Sequence, residues 1–402
     1  MPMLTDYNHF SGRHWETAGI ANFYAYRKAN APHTGEPYSE ALLLGVSGGA
    51  TIGYFSFNYE GHDPMCRILT RNTFDPLDTM LSRLGVVQHR LQTSSAEKGV
   101  SNLVETLEDG MPAIVWADMY GLPYYANPDD EGMWMMFPIV VYGYDTETDK
   151  VWIADRASVP LVVTPAQLQT ARAKVKKDKF RVMTLEPPQS EKLASAVTAG
   201  IWDCIKLYTE KPPKGTRKNF GLQALQNWGS LLTEPKTRLS WAREFPPGRE
   251  MFAALVDAYH DINIFTRDDR ADRKLYAVFL EEASLILEKP ALKESAGLFR
   301  RCSDSWGKLS KTLLPDGIAP FAEARELMRQ RKQLFIEKGD EATLELRQID
   351  EQMDRLRTAM ETEFPLDEAG ATAMRQEIAE QVLALHDVER EAVTALKAMM
   401  SD

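Results

Sequence analysis

The spacing of apolar residues changes part-way along the chain. Up to about Pro188, short apolar runs rich in β-branched and aromatic residues are punctuated by glycine and proline, whereas nearly everything beyond carries an apolar stripe at helical spacing. Residues 17–30 follow the polar entry His9-Phe10-Ser11-Gly12 and predict a first helix capped near Ser11. Residues 39–44 predict a second, short helix ended by Gly45, with Gly45-Val46-Ser47-Gly48-Gly49 as a loop. Two more helices are expected at 75–84 and 101–109, closed by Gly85 and Gly110 where a left-handed cap is wanted. The period then shortens to that of strands at Ala113-Ile114-Val115-Trp116-Ala117, Ile139-Val140-Val141-Tyr142-Gly143 and Val151-Trp152-Ile153-Ala154-Asp155. These read as one mostly buried sheet, with the polar turn 145–149 joining the last two as an antiparallel hairpin. Helices followed by an antiparallel sheet make an α+β domain.

A bridging helix at 194–208 leads to Lys211-Pro212-Pro213-Lys214-Gly215, the linker candidate in a boundary zone spanning 187–218. Helical stripes follow at 222–232, 249–264, 273–287 and 292–314. Beyond Pro320 the helices become longer and more charged. Ile349, Met353, Leu356 and Met360, and again Ile378, Val382 and Leu385, recur at steps of four and three, the seam of an antiparallel helical hairpin turning at Gly339-Asp340 and Phe364-Pro365. The expected division is 1–188, 189–320 for a helical domain, and 321–402 for a helical extension packed on it. That extension reads either as a solvated bundle or as a surface for assembly, and its seam suits a homodimer as well as it suits folding back on its own chain.

Composition narrows the function classes. At 402 residues, 44% hydrophobic and 26% charged, the chain is globular and long enough for two or three domains. A net charge of −11 argues against non-specific nucleic-acid binding, which needs a basic surface. Cys66, Cys204 and Cys302 lie far apart with no CxxC pair, against a zinc knuckle or a disulfide framework. With no basic-then-apolar leader and no 18-residue apolar run, a cytoplasmic protein is expected, neither secreted nor membrane-spanning. Residues 45–49 lack the Lys-Ser/Thr of a phosphate loop. His260 and His386 have no partners at metal spacing, so neither a metal nor another cofactor is expected.

Four stretches carry a resemblance: Gly12-Arg13-His14-Trp15-Glu16-Thr17; Ser39-Glu40 leading to Leu44-Gly45-Val46-Ser47-Gly48-Gly49; Asp118-Met119-Tyr120-Gly121-Leu122-Pro123-Tyr124; and Val140-Val141-Tyr142-Gly143-Tyr144-Asp145 with Val151-Trp152-Ile153-Ala154-Asp155-Arg156. In this order they resemble the butirosin biosynthesis protein H family. Residues 272–283 and Ser305-Trp306 look like the α-helical domain that follows in that family. The resemblance implies a papain-like N-terminal domain with an antiparallel sheet, an α-helical C-terminal part, and an acyltransferase that moves an acyl group from a carrier-protein thioester through a cysteine to an amine.

Such chemistry needs a thiolate, a histidine to deprotonate it, and a carboxylate or amide to orient the histidine. By the resemblance, the cysteine position is occupied here by Trp15 and the histidine position by Phe137, while Asp155 stands where the orienting carboxylate belongs. No cysteine precedes Cys66 and no histidine lies between His89 and His260, so a shift of a few residues restores neither group. Trp15 and Phe137 either pack on each other or line a ligand pocket with Met133 and Met136. His14 and Glu16 flank the lost cysteine and are candidates for acid/base chemistry, with Asp155 as a third catalytic candidate; a structural role at the helix start is the competing reading. Asp118, Tyr120 and Tyr124, on a strand-to-loop exit, are candidates for substrate contact or for holding the loop. Cys66 beside Arg67 reads as an inert buried thiol or a replacement nucleophile.

The expectation is an acyltransferase-like protein of bacterial specialised-metabolite biosynthesis that has lost its Cys/His pair and binds or processes an acyl or peptidyl intermediate, free or carrier-protein-bound, without a thioester on itself. Two alternatives accompany it: an active non-covalent acid/base or cyclisation enzyme using His14, Glu16, Asp118 and Asp155, and a non-catalytic structural or partner subunit.

Overall fold

A computed structural model describes residues 2–59, 61–127 and 135–401. The chain begins α1 (Trp15–Tyr26), α2 (Glu40–Val46), β1 (Ala50–Phe57), β2 (Met65–Arg71), α3 (Pro76–Arg83), β3 (Gln88–Leu91), α4 (Ala96–Glu108) and β4 (Ala113–Asp118). It continues β5 (Met136–Asp145), β6 (Lys150–Ala154), β7 (Leu161–Val163), α5 (Pro165–Ala173), β8 (Val182–Leu185), α6 (Leu193–Thr209), α7 (Gly221–Thr233) and α8 (Trp241–Glu244). Helices complete it: α9 (Arg249–Tyr259), α10 (Arg273–Ile286), α11 (Leu292–Leu313), α12 (Ala319–Lys338), α13 (Thr343–Ala359) and α14 (Glu368–Ser401). This is a mixed α+β chain, with small antiparallel sheets in the N-terminal part and helices dominating the C-terminal part. Among the described residues no helix is long and apolar enough to cross a membrane.

Two compact units form, each from non-contiguous stretches: Met1–Leu43, Leu81–Lys192 and Gln330–Asp350 in one, Leu44–Met80, Leu193–Arg329 and Glu351–Asp402 in the other. The first holds a six-stranded sheet in the order β3-β8-β4-β5-β6-β7, every pairing antiparallel. Near-continuous burial of β4 and β5 explains their unbroken apolar sequence: α1 packs on β5, α5 on β4, and α4 on both. The hairpin β5–β6 turns where expected, Asp145 facing Lys150. The corner between α12 and α13 is bonded to the same unit. Ser158 N–H donates to the Ile336 carbonyl (2.8 Å) and Val162 N–H to the Asp340 carboxylate (3.1 Å). Gly339 turns this corner at φ +57°, and a Cβ there would stand 2.5 Å from the Leu161 side chain.

In the second unit β1 and β2 form a two-stranded antiparallel sheet that sequence pattern did not predict. The free edge of β2 is satisfied by side chains rather than by a third strand: Asp257 accepts from Cys66 N–H (3.2 Å) and Asp261 from Ile68 N–H (3.0 Å). Asp257 lies in the last turn of α9, and Asp261 lies in one π turn, His260–Ile264, so the helix expected over 249–264 changes winding there. Deeper in, Arg273 and Glu389 form a fully buried ion pair (2.7 Å). Arg273 also donates to the carbonyls of Thr70, Ala271 and Thr51, and Glu389 accepts from Trp306 Nε1 (2.7 Å) and the Tyr208 hydroxyl (2.6 Å).

Other boundaries move for identifiable reasons. Helix α1 starts at Trp15 and not at residue 17, and no Ser11 cap forms; the Glu40 carboxylate accepts the N–H groups of Arg13 and His14 (3.0 and 2.9 Å) and the Thr17 hydroxyl (2.9 Å) instead. Gly45 does not end α2. It lies inside the helix, where a Cβ would come within 2.1 Å of the Phe279 ring, so its smallness serves a close approach. Helix α4 begins before residue 101 because Ser95 caps it through Lys98 N–H (3.3 Å). The stripe Ile378, Val382, Leu385 is buried as expected, but α14 packs on α11, α7 and α6 rather than chiefly on α13, where Met353 and Leu356 are only half-buried.

Candidate functional site

Trp15 is the first residue of α1, and Phe137 is the second of β5, opposite Ala117 of β4. The helix packs on that strand, and the two rings stack with centroids 3.6 Å apart and planes 5° from parallel. The Arg156 guanidinium carbon lies 3.4 Å from the indole centroid. Two planar groups that close to one ring system cannot share a face, so the indole is sandwiched between phenyl and guanidinium. The phenyl–indole pair is close to face-to-face, an arrangement less favoured than an offset or edge-to-face one, and the cation over the other face contributes about 0.5–2 kcal/mol. Trp15 is 3% exposed, so the indole fills this space.

The polar atoms form a closed chain. Trp15 Nε1–H donates to the Tyr125 hydroxyl (2.9 Å), which donates to Asp155 Oδ2; the Tyr124 hydroxyl donates to the same oxygen (3.1 Å), and Asp155 Oδ1 accepts Arg156 N–H (2.8 Å). Burial raises the Asp155 pKa above the ordinary carboxylate range, opposed by the Arg156 charge and the tyrosine hydrogen bonds. Burial likewise pushes both tyrosine hydroxyls up, with Asp155 adding to it, so they stay protonated and act as donors. Every proton in the chain points towards Asp155, and neither indole nor phenyl can accept one. Phe335 stacks on Tyr125 and Tyr124 (centroids 5.4 and 6.4 Å), and Arg331 donates to the Tyr125 carbonyl (2.7 Å) while pairing with Asp350 (2.6 Å).

The candidates from sequence divide accordingly. Trp15, Phe137, Tyr124 and Asp155 come together. Asp118 is fully buried, with one oxygen accepting Met135 N–H (2.9 Å) and the other in an ion pair with Lys174 (3.3 Å), an arrangement that fastens the entry to β5. Met136 is half-buried opposite Asp118 in the β4–β5 register, and Tyr120 is half-buried in the turn Met119–Gly121. Met133 lies outside the described residues. His14 is buried ahead of α1, and Glu16 is half-buried in its first turn. Tyr125, Glu40, Arg331 and Phe335 were missed as site residues. The Tyr124-Tyr125 doublet was a usable signal; the residues from the α12–α13 corner had none, since nothing local ties them to a site two hundred positions earlier.

The chain's three cysteines are Cys66, Cys204 and Cys302. All are buried free thiols of the other unit, and burial raises the pKa of each, to about 12 for Cys204. Cys66 lies beside a carboxyl of interest in its own right. Asp257 is pushed up to about 6, mainly by burial and further by the Asp261 charge, with Arg67 opposing. Because the folded chain holds this proton more tightly than the unfolded chain, its contribution to stability is complete below pH ~4 and lost as pH rises towards 6. Urea denaturation across that window should show Asp257→Asn gaining about 2 kcal/mol relative to the unmodified protein; parallel profiles would contradict it.

A groove of about 370 Å³ remains open elsewhere in the first unit, bounded by His9, Phe10, Asn22, Tyr38, Glu40 and the small residues of one α1 face. That volume lies in the lower range for small-molecule sites. Among the described residues no group of three or more His, Cys, Asp or Glu could hold a metal ion. In comparison with known families, residues 14–156 match the family described as butirosin biosynthesis protein H, N-terminal. No curated protein matches the chain.

Proposed function

We propose, for a chain that is butirosin biosynthesis protein H-like over residues 14–156, that it is an acyltransferase-like protein of specialised-metabolite biosynthesis acting as a non-catalytic partner on a papain-like scaffold. The observation that carries this is the filled centre: Phe137, Trp15 and Arg156 in one stack, closed below by the Trp15–Tyr125–Asp155 hydrogen bonds. A nucleophilic mechanism needs a deprotonated attacking atom beside a base, and this centre supplies an aromatic stack whose indole N–H and tyrosine hydroxyls are donated internally. An acyl or peptidyl intermediate, free or carrier-bound, would be held non-covalently, and the groove beside α1 is the space suited to it.

The test is turnover of an acyl N-acetylcysteamine thioester with an amine acceptor. The protein is expected to leave the rate at the buffer background, with Asp155→Asn and His14→Ala indistinguishable from it. Turnover above background that disappears in those variants would replace this reading with that of a non-covalent acid/base enzyme.

A further inference from the structure

We propose that the loop 174–181, between α5 and β8, is a docking surface for a carboxylate-rich face of a partner protein. The loop reverses the local charge of an acidic chain: Lys174, Lys176, Lys177, Lys179 and Arg181 stand against the single carboxylate of Asp178, in a protein of net charge −11. Asp178 is taken up by Arg181 (2.5 Å), and Lys174 by buried Asp118. Lys176, Lys177 and Lys179 have no ion-pair partner among the described residues, and the first two are exposed.

The bracing beneath the loop distinguishes it from an ordinary solvated charge run. Phe180, 3% exposed, is seated against Gly99 of α4, where a Cβ would come within 2.6 Å of it. Gln92 holds both sides of the loop, donating to the Lys177 carbonyl (2.8 Å) and accepting from Arg181 (3.1 Å). Beneath them Arg172 is buried, donating to the carbonyls of Gly99 and Arg181 (both 3.3 Å), with no carboxylate paired to it among the described residues. Burial lowers its pKa to about 10, which leaves it charged at neutral pH. A buried cation without a paired carboxylate among the described residues, under a braced lysine loop, sets a positive potential that a partner's carboxylates would satisfy. An acidic protein face fits better than a nucleic acid. The chain's net charge opposes a long polyanion, and the two large rings of the loop and its neighbouring strand are not bare, Trp116 being covered by Arg181 (5.1 Å) and Phe180 buried.

The proposal stands apart from the reading of the aromatic centre. Fluorescence anisotropy at low salt with a labelled helical peptide of glutamate and alanine tests it, using the full chain. The peptide should bind, weaken as salt is added, and lose about tenfold in affinity in Lys176→Glu/Lys177→Glu. The control Lys211→Glu/Lys214→Glu, an equal charge change at another exposed stretch, should bind like the unmodified protein. Absence of binding, equal weakening in both variants, or tighter binding of oligothymidine of the same charge would each overturn it.

Discussion

Replacing Trp15 with alanine should cost about 3–5 kcal/mol of folding stability, the range for removing a buried tryptophan without collapse of the site. The loss has three sources that can be separated. The phenyl of Phe137 loses the ring stacked on it, the Arg156 guanidinium loses the face it covers, and the Tyr125 hydroxyl loses the indole donor. Trp15→Phe keeps an aromatic surface and removes the indole N–H, so it should recover more than half of the loss. Urea denaturation of both variants checks this. Equal and small losses would mean that the indole is not the keystone of the centre.

The second large effect is expected in the other unit, at Glu389. Removing its carboxylate in Glu389→Ala leaves Arg273 buried with an uncompensated charge, which costs about 3–5 kcal/mol. It also strips the acceptor from Trp306 Nε1 and from the Tyr208 hydroxyl, each about 1–3 kcal/mol when left unsatisfied. The variant should therefore unfold at markedly lower denaturant or fail to accumulate. Glu389→Gln keeps an oxygen for one donor and should be intermediate. The double replacement Arg273→Met/Glu389→Ala should be less damaging than the sum of the single ones, because no lone charge remains. A strictly additive double variant would show that the pair is not coupled.

How much of this was readable from sequence depends on how local each signal is. The strands β4, β5 and β6 and most helices were legible because periodicity records which face is buried, and the Asp145 turn fixed one hairpin. The pair β1 and β2 was not. Met65 to Arg71 alternates in burial as a pleated strand does, but its free edge is satisfied by Asp257 and Asp261, almost two hundred positions later. Gly45 looked like a stop and is a contact, since a glycine chosen for closeness has the same sequence signature as one chosen for its φ. At the candidate site, the motif order placed Trp15, Phe137 and Asp155 in one neighbourhood. What closes it, Tyr125 with Phe335 and Arg331 from the α12–α13 corner, depends on a long-range return of the chain that no local pattern encodes.

We propose that an acyltransferase-like scaffold operates here with no covalent acyl intermediate. Intact-mass spectrometry after incubation with an acyl N-acetylcysteamine thioester tests it most directly. The predicted spectrum is the unmodified mass of the chain, in agreement with a filled centre and three buried, raised-pKa thiols. A mass increase of one acyl group that is removed by hydroxylamine, located on Cys66, Cys204, Cys302 or any other side chain, would contradict it.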